Sequence, residues 1–579
     1  MTHTEPTRNR LFSRLDQINE FERQPISKEK LHSGIYFAGA FAGEHVAATE
    51  FVIGALFVTF GAGTFDVIVG LLLGNLMAVL SWTLICAPIA VQTRLTLYWY
   101  LRKIAGPGVM VIYNIVNGIL FCILGGAMIT VAASAVRLPL GIPEQVHWYP
   151  EDIRFVLVVL AVGGVVVTLA ILGFKYLVRF ATVCAPWMLL MFVAGGLVML
   201  PTLGDVRSFS DFWSVANRHI WTGPAPGQTD AIGFWHIAAF AWICNLGMHI
   251  GLTDMAVFRY AKRASYGLYS AFGMYLGHYV AWICAGIMGA AAAHLLKRPL
   301  TELDSGSVAY QALGAVGVLA VVIAGWTTAN PMLYRAGLAF QVITPGWSRW
   351  KVTLVAGVIT TLTACSPFVF TKMLGFVVIY GLLLMPMGVI VTTEHWVFPR
   401  IGLTPFWAAR KGLVFNWPAL AAWLFPVAIG FWCSSLGLIH LFFLFLPVGL
   451  ASGVLYIALS AMAGARQSLP ELEEKTREAV PAPATGAPDS QGAISDVGWG
   501  PLSYLSGGVA LLCLAGCFLL PLWIFLGGSG YYTERTATFN ALIPWITLAY
   551  FMSGALWMAD RDKRNARYAP EAGTSGVSG

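Results

Sequence analysis

Residues 34–56 read GIYFAGAFAGEHVAATEFVIGAL, and this stretch is the strongest indication of the architecture of the chain. The stretch is long and apolar enough to cross a bilayer, which takes about 20 residues. It nevertheless holds Glu44, His45 and Glu50, with three glycines on the N-terminal side of Glu44. Ionisable groups inside a span indicate function, and glycines beside them predict a broken helix that lines a cavity. The alternative is that Glu44 and Glu50 snorkel or bond to another helix for structural reasons.

The composition is that of a polytopic membrane protein. Of 579 residues, 58% are hydrophobic and 11% are charged, and the mean hydropathy is +0.72. A soluble domain carries about 25% charged residues, so the composition excludes a soluble enzyme, a disordered protein and a nucleic-acid-binding protein. The net charge of +7 comes from basic residues in short loops between apolar runs. The 9 cysteines lie in apolar stretches without metal-ligand spacing, which predicts neither a disulfide framework nor a metal centre.

Fourteen spans are predicted. The uncharged run between Lys411 and Arg466 is too long for one helix, and Ser434, Ser435 and Gly437 are the expected turn within it. The predicted spans are 34–60, 65–88, 108–135, 154–173, 178–200, 231–254, 267–295, 309–340, 352–370, 373–394, 417–433, 436–463, 502–527 and 537–558.

The distribution of basic residues predicts that both termini are cytoplasmic. With the N-terminus inside, 27 of the 35 Lys and Arg residues fall in inside segments, Arg335 counted among them, as the positive-inside rule requires. The first thirty residues lack the apolar core of a signal peptide. We therefore expect a multi-pass protein of the cell (inner) membrane.

The predicted organisation has five parts. A cytoplasmic tail (1–33) precedes a twelve-span core (34–463). Residues 464–500 are charged and then rich in Pro, Ala and Gly, which predicts a flexible cytoplasmic linker. An extra pair of helices (501–559) and a second tail (560–579) follow.

The sixth span repeats the pattern of the first. It reads FAWICNLGMHIGLTDMAVFRYAK and places Asn245, His249 and Asp254 close to Gly247 and Gly251. Gly-interrupted spans at corresponding positions of two repeats are the best sequence pointer to a transporter site. The alternatives are that His249 donates to a neighbouring carbonyl and that Asp254, with Arg259, marks the cytoplasmic end of the helix.

The eighth span, VVIAGWTTANPMLYRAGLAF, offers neutral oxygen ligands. Ala324 and Thr327 share a helix face, and Thr328 adds a second hydroxyl, so a carbonyl and two hydroxyls can converge on a small hard cation. The alternative is that both hydroxyls bond to the preceding turn. Asn330-Pro331 is expected to interrupt the helix.

Other spans add candidate residues but no catalytic motif. Asn117 and Phe121 in the third span are candidates for substrate contact, as is His278 in the seventh, although Asn side chains also hold helices together. No nucleotide-binding motif and no H-E-x-x-H is present, so the chain is not predicted to be an enzyme and needs no cofactor.

Several segments resemble the nucleobase–cation symporter-1 family, the cytosine and purine permeases. The resemblance covers about residues 30–465, and its most specific part is W-T-T-x-x-x-x-L-Y-x-x-G-L-x-F in the eighth span. The segments that carry it are GTFDVIVGLLLGNLM (63–77), FRYAK (258–262), WTTANPMLYRAGLAF (326–340), SRWKVTLVAGVITTLTA (348–364), GFVVIYGLLLMPMGVIVTTEHWVFPR (375–400) and FNWPALAAWLF (415–425).

The resemblance implies an all-α, leucine-transporter-like fold with two inverted five-helix repeats and alternating access. It also implies a cation site between the first and eighth spans. Its ligands would be the carbonyls near Glu44 and Ala47, the carbonyl of Ala324, and the hydroxyls of Thr327 and Thr328.

The implied substrate site departs from the family pattern. Phe121 replaces a stacking tryptophan, and the nearby glutamine is missing. The extra C-terminal helix pair has no counterpart in the usual twelve-helix pattern. The residues expected to face the substrate are Glu44, Ala48, Thr49, Asn117, Phe121, Asn245, His249 and Asn330.

These observations predict a secondary transporter. It would import a small polar heterocycle, such as a nucleobase, with Na⁺ or H⁺ as coupling ion. Its expected partners are the substrate, the coupling cation and the lipid bilayer, and no nucleic acid. Glu44 would either exchange a proton or pair with a positive group of the ligand. The alternatives are a transporter of an amine or amino acid, and a solute sensor that does not transport.

Overall fold

The computed structural model describes residues 24–145, 147–172, 174–367, 372–469 and 500–568. Most of the predicted N-terminal tail, linker and C-terminal tail lies outside the described residues. The described chain is helical, with only isolated β-bridges between segments.

The helices of the first five predicted spans and their connections are α1 Gly34–His45, α2 Thr49–Thr59, α3 Thr64–Thr93, α4 Leu97–Ile104, α5 Gly106–Val136, α6 Ile153–Ile171, α7 Phe174–Met199 and α8 Phe209–Val215. The next five spans contain α9 Phe234–Ile243, α10 Leu246–His249, α11 Met255–Phe258, α12 Ala264–Leu296, α13 Ser305–Leu313, α14 Ala315–Ile343, α15 Arg349–Ala364 and α16 Met373–Arg400. The last four are α17 Trp417–Ser435, α18 Leu441–Ala465, α19 Pro501–Gly527 and α20 Tyr532–Tyr568.

Each of the fourteen predicted spans coincides with a helix or a broken helix. Eleven described helices are long and apolar enough to cross a membrane, and α1 with α2 makes a twelfth span, bent by 57°. The two remaining spans are the interrupted α9–α11 and the 16-residue α15. The all-α membrane architecture is thus confirmed.

The predicted breaks in the first and sixth spans are confirmed. The first helix stops after His45 and resumes at Thr49. The sixth is interrupted after Ile243 and again between His249 and Met255, where Leu252 has a φ of 64°. Such a left-handed Leu is strained, so the surrounding packing holds this turn in place.

The eighth span differs from the prediction in two ways. Gly314, with a φ of 60°, separates α13 from α14, so residues 309–313 belong to a preceding helix. The predicted interruption at Asn330-Pro331 is wrong, because α14 continues through Pro331. Membrane helices tolerate proline where neighbouring groups satisfy the freed backbone. Asn330 does not end the helix either, because its side-chain amide donates within α14 to the carbonyl of Trp326 at 2.8 Å.

The predicted turn in the long uncharged run is confirmed. Helix α17 ends at Ser435, and Gly437 has a φ of 70°. The chain therefore reverses between α17 and α18 at the expected residues.

Small residues bring α5 and α14 together at the centre of the core. A Cβ on Gly325 would lie 2.7 Å from the Ala132 Cβ, closer than side chains tolerate. Small residues allow such close approach of helices in membranes. The polar middle of α14 is thereby held between α5 and the broken first span.

The extra helix pair packs on α7. Tyr550 of α20 donates to the carbonyl of Val183 at 2.6 Å, and Trp187 donates to the Thr547 hydroxyl at 3.3 Å. At one end, Arg179 pairs with Asp562 at 2.5 Å. The pair thus packs on α7, a helix of the first five predicted spans, and its connecting turn bonds to Asp205, where the Ser529 N–H donates at 2.8 Å.

Candidate functional site

Polar groups gather around residues 46–48, the break in the first span. We call the part of the bundle between Gly34 and this break the near half, and the part beyond it the far half. Helix α14 runs from the far half into the near half, so Thr327 and Thr328 lie beside the end of α1 and Arg335 lies deeper in the near half.

The oxygens expected to hold a cation converge at this break. The Thr328 hydroxyl lies 3.1 Å from the carbonyl oxygens of both Glu44 and Ala324, and the Thr327 hydroxyl lies 3.0 Å from that of Ala324. All four residues are buried. Ala47, the fifth expected ligand, lines the cavity that begins here.

The contact between Thr328 and Glu44 goes beyond ordinary helix geometry. Threonine hydroxyls in helices commonly bond to the carbonyl of the preceding turn, and both hydroxyls do so here. The bond from Thr328 to Glu44 instead joins two helices at the point where α1 ends and its last carbonyls lack partners within the helix. Neutral oxygens in this arrangement suit a hard monovalent cation.

The Glu44 side chain pairs with Arg335. Arg335 Nη1 lies 2.6 Å from Glu44 Oε1, and Nη2 lies 3.0 Å from Oε2. The same Nη2 lies 2.6 Å from Asp254 Oδ1, while Trp82 donates to Asp254 Oδ2 at 2.7 Å. We call Glu44, Asp254 and Arg335 the near-half cluster, which ties α1, α11 and α14 together.

This cluster corrects one expectation and adds to another. Arg335 was counted in an inside segment, but it lies within α14 with 1% of its surface exposed. Asp254 and Arg259 do flank the short helix α11, as the structural alternative had it, but Asp254 is fully buried and also pairs with Arg335. Arg335 lies within the predicted span 309–340, so an arginine inside a span was the signal that sequence reasoning missed.

The second carboxylate, Glu50, lies in the far half near two aromatic rings of α12. The Trp282 indole N–H donates to Glu50 Oε2, and His278 Nε2 lies 3.6 Å from Oε1. The His278 and Trp282 rings stack at 4.3 Å, and His45 approaches His278 edge-on at 5.2 Å. Glu50 is 2% exposed.

Two small cavities adjoin the break. The first, of about 50 Å³, lies on the Glu50 side; the second, of about 40 Å³, lies on the Arg335 side. Small-molecule sites usually measure about 300–1,000 Å³, so helices must part before a substrate can occupy either cavity.

The structure brings some of the expected substrate residues together. Glu44, Thr49 and Asn245 line the first cavity, with Ala47 and Thr328. Asn330 lines the second cavity.

The other expected substrate residues lie elsewhere. Ala48 is fully buried at the break, outside both cavity linings, and Asn117 donates to the Tyr113 hydroxyl at 3.3 Å. The Phe121 ring lies 5.9 Å from the Arg335 guanidinium. His249 Nε2 lies 2.9 Å from the Trp242 carbonyl, which agrees with the structural alternative for this histidine.

Comparison with known proteins gives matches in structure only. No protein-family model matches the chain, and no curated protein matches it in sequence. A structure of Mhp1, a nucleobase-cation-symport-1 family transporter, in a closed conformation with bromovinylhydantoin bound is 15% identical, with a TM-score of 0.59 over 78% of this chain and 97% of that chain. Its inward-facing conformation is 15% identical, with a TM-score of 0.58 over 77% and 94%. A Na⁺-coupled sialic acid symporter in a substrate-bound outward-open state is 12% identical, with a TM-score of 0.57 over 79% and 95%.

The chain therefore has the fold of these proteins. The leucine-transporter-like fold expected from the sequence is confirmed. At 12–15% identity the likeness is one of fold, and all three structures are of transporters rather than enzymes.

Proposed function

We propose that this chain is a cation-coupled secondary transporter, a divergent relative of the nucleobase-cation symporters, that imports a small polar heterocycle across the cell membrane. The observation that carries the proposal is the convergence of the Glu44 and Ala324 carbonyls with the Thr327 and Thr328 hydroxyls. Solved structures with the same fold are of a nucleobase-cation-symport-1 transporter and a Na⁺-coupled symporter, which supports this reading.

Sodium is the coupling ion that these oxygens favour. Four neutral oxygens from two helices offer a hard cation its preferred ligands. The Glu44 carboxylate is not needed as a ligand, since Arg335 already compensates its charge. With sodium bound, the end of α1 and the middle of α14 would be drawn together, and this coupling stabilises one arrangement of the broken span.

The substrate would bind on the Glu50 side of the break, in the first cavity. This cavity reaches residues of the first, third, sixth, seventh, eighth and tenth spans. The near-half cluster would close the path on the opposite side, and separation of α1, α11 and α14 would open it. Alternating exposure of one central site follows from opening the two halves in turn.

Transport of an amine or amino acid on the same fold is the second candidate. Glu44 was its expected counter-ion, but Arg335 occupies both Glu44 oxygens. A cationic substrate would have to use Glu50 instead, which is the carboxylate of this cavity lining without an arginine partner.

Uptake into proteoliposomes tests the proposal. Purified protein is reconstituted, and uptake of radiolabelled nucleobases, hydantoins, amines and amino acids is compared with an inward sodium gradient and with choline in its place. We expect sodium-dependent uptake of a heterocycle and loss of the sodium dependence in Thr327→Ala/Thr328→Ala. Thr360→Ala is the matched control, because the hydroxyl of this buried threonine donates to the Ala356 carbonyl at 2.8 Å and is not one of the proposed cation ligands. Solute binding with no flux would favour the sensor, and uptake of heterocycles indifferent to sodium would overturn the coupling site.

A further inference from the structure

Glu50 is a buried carboxylate whose charge no arginine or lysine of the described chain compensates. Trp282 donates to Oε2, and Oε1 accepts no hydrogen bond from the described residues. The His278 Nε2 lies 3.6 Å from Oε1, beyond hydrogen-bond distance. Glu44 contrasts with it, because Arg335 donates to both of its oxygens. A buried charge is costly without a hydrogen-bonding partner, so Oε1 needs a donor that the described chain does not supply.

Three further polar atoms around the same cavity are buried and without hydrogen-bond partners among the described residues. They are Asn245 Nδ2, His278 Nδ1 and the Tyr380 hydroxyl. The three residues come from the sixth, seventh and tenth spans and are 8%, 3% and 1% exposed. Most buried polar atoms have partners, so unpaired atoms from three helices around one cavity indicate a ligand site.

The charge of the cavity is set by few groups. The titratable or charged residues that line it are Glu44, His45, Glu50, Cys244, His278 and Tyr380. Of its two carboxylates, Glu44 belongs to the near-half cluster. Glu50 is therefore the acceptor that remains for a ligand, while Asn245 and Tyr380 supply donors.

We propose that Glu50 anchors the substrate and selects heterocycles that present two adjacent N–H donors, a ring N–H beside an exocyclic amine. Carboxylates accept such paired donors in a bidentate manner. Each carboxylate oxygen has two lone pairs, so the bond from Trp282 to Oε2 leaves room for the ligand. A ring carbonyl of the same heterocycle would accept from Asn245 or Tyr380. This inference rests on the proposed transport of heterocycles and narrows their class.

Two probe pairs test the selection. Guanine and isocytosine carry the N–H pair, whereas hypoxanthine lacks the exocyclic amine and uracil has a carbonyl in its place. Binding to the purified full-length protein is measured by equilibrium dialysis in sodium, and thermal shift provides a second readout. A site built to hydrogen-bond a donor rejects the analogue without it, so we expect guanine and isocytosine to bind at least tenfold more tightly than their partners.

Variants assign the selection to Glu50. We expect Glu50→Gln to lose at least tenfold in guanine affinity and most of the preference, whereas exposed Glu534→Gln retains both. Should Glu50→Gln fail to fold, Asn245→Ala provides an independent measurement. It should weaken all four probes through the lost amide donor and leave the tenfold preference intact, because Glu50 is unchanged.

Several results would overturn the inference. These are equal binding within each probe pair, unchanged discrimination in Glu50→Gln, binding of simple amines in place of heterocycles, and no binding of any of the four probes. Sodium-driven uptake of a heterocycle lacking the N–H pair would overturn this inference and leave the proposed function standing. Guanine binding that depends on Glu50, without uptake in proteoliposomes, would support the role of Glu50 and overturn the proposed transport.

Discussion

At the scale of single residues, Arg335 is the group on which the near half depends. It donates to two buried carboxylates, at 2.6 Å to Glu44 and 2.6 Å to Asp254, and is itself 1% exposed. Removing one partner of a buried ion pair costs about 3–5 kcal/mol, because the remaining charge is left uncompensated. Loss of Arg335 leaves the charges of Glu44 and Asp254 without a compensating cation. Loss of the Glu44 charge leaves Asp254 still paired with Arg335.

The two variants should therefore differ in stability. We expect Arg335→Met to lower the free energy of unfolding by about 3–5 kcal/mol, and Glu44→Gln to lower it by less. The measurement is denaturant unfolding in mixed micelles. The control is Arg154→Met, which removes an exposed arginine paired with Asp152 and should leave stability unchanged. Equal losses for the two variants would contradict the charge balance of the cluster.

His32, just before α1, makes stability depend on pH. Burial and the nearby Lys262 lower its pKa from 6.5 to about 4. The unfolded chain takes up a proton near pH 6.5 but the folded chain only near pH 4, so stability is present above pH 6.5 and is lost as pH falls toward 4. We expect His32→Phe, which retains a ring to stack on Tyr36, to flatten this dependence in thermal unfolding between pH 7 and 5. A slope equal to that of the wild type would contradict the assignment; exposed His147→Phe is the control expected to keep that slope.

At this scale the sequence predicted several polar residues of the site but not the residues they contact. Glu44, Glu50, Thr327 and Thr328 stood out because polar groups are rare in apolar spans. Their partners did not, because Trp282 lies 232 positions from Glu50 and no local pattern joins the two.

At the scale of helices, the breaks were predictable and the continuity of α14 was not. Glycines beside acids and amides signal a place where the backbone leaves the helix, as at residues 46–48. Proline gives a weaker signal, since neighbouring helices can compensate its missing donor. Pro331 therefore leaves α14 intact, with Arg335 held inside it.

Helix α7 links the extra pair to the site. Its Ala181 lies against Gly43 of α1, where an added Cβ would be 2.6 Å from the Ala181 Cβ. Helix α7 also bonds to α20, because its Val183 carbonyl accepts from Tyr550 and its Trp187 donates to Thr547. The sequence predicted the pair but gave no docking surface, because the docking contacts join residues 360 and 367 positions apart, which no local pattern connects.

Loosening this attachment should affect stability modestly. A hydrogen bond between membrane helices contributes about 0.6–1.7 kcal/mol, so we expect Tyr550→Phe to lower the free energy of unfolding by about 1 kcal/mol. Tyr504→Phe, with an exposed ring on α19, is the comparison and should lose less. A larger loss in Tyr504→Phe than in Tyr550→Phe would contradict the docking described here.

At the scale of the whole molecule, two carboxylates flank one break and have different partners. Glu44 is compensated within the protein, and Glu50 is left for a ligand. The four oxygens of the proposed cation site belong to α1 and α14, the helices that would have to move when the near half opens. In the proposed transport cycle, this arrangement would connect cation binding, substrate binding and the closed near half.

Radioactive sodium binding tests this arrangement most directly. Equilibrium binding to purified protein should saturate in the wild type and in Thr360→Ala. It should weaken at least tenfold in Thr327→Ala/Thr328→Ala, which removes two of the four converging side-chain and backbone oxygens. Saturable binding unchanged by the double substitution, or no saturable binding to the wild type, would contradict the central claim that these oxygens form the coupling site.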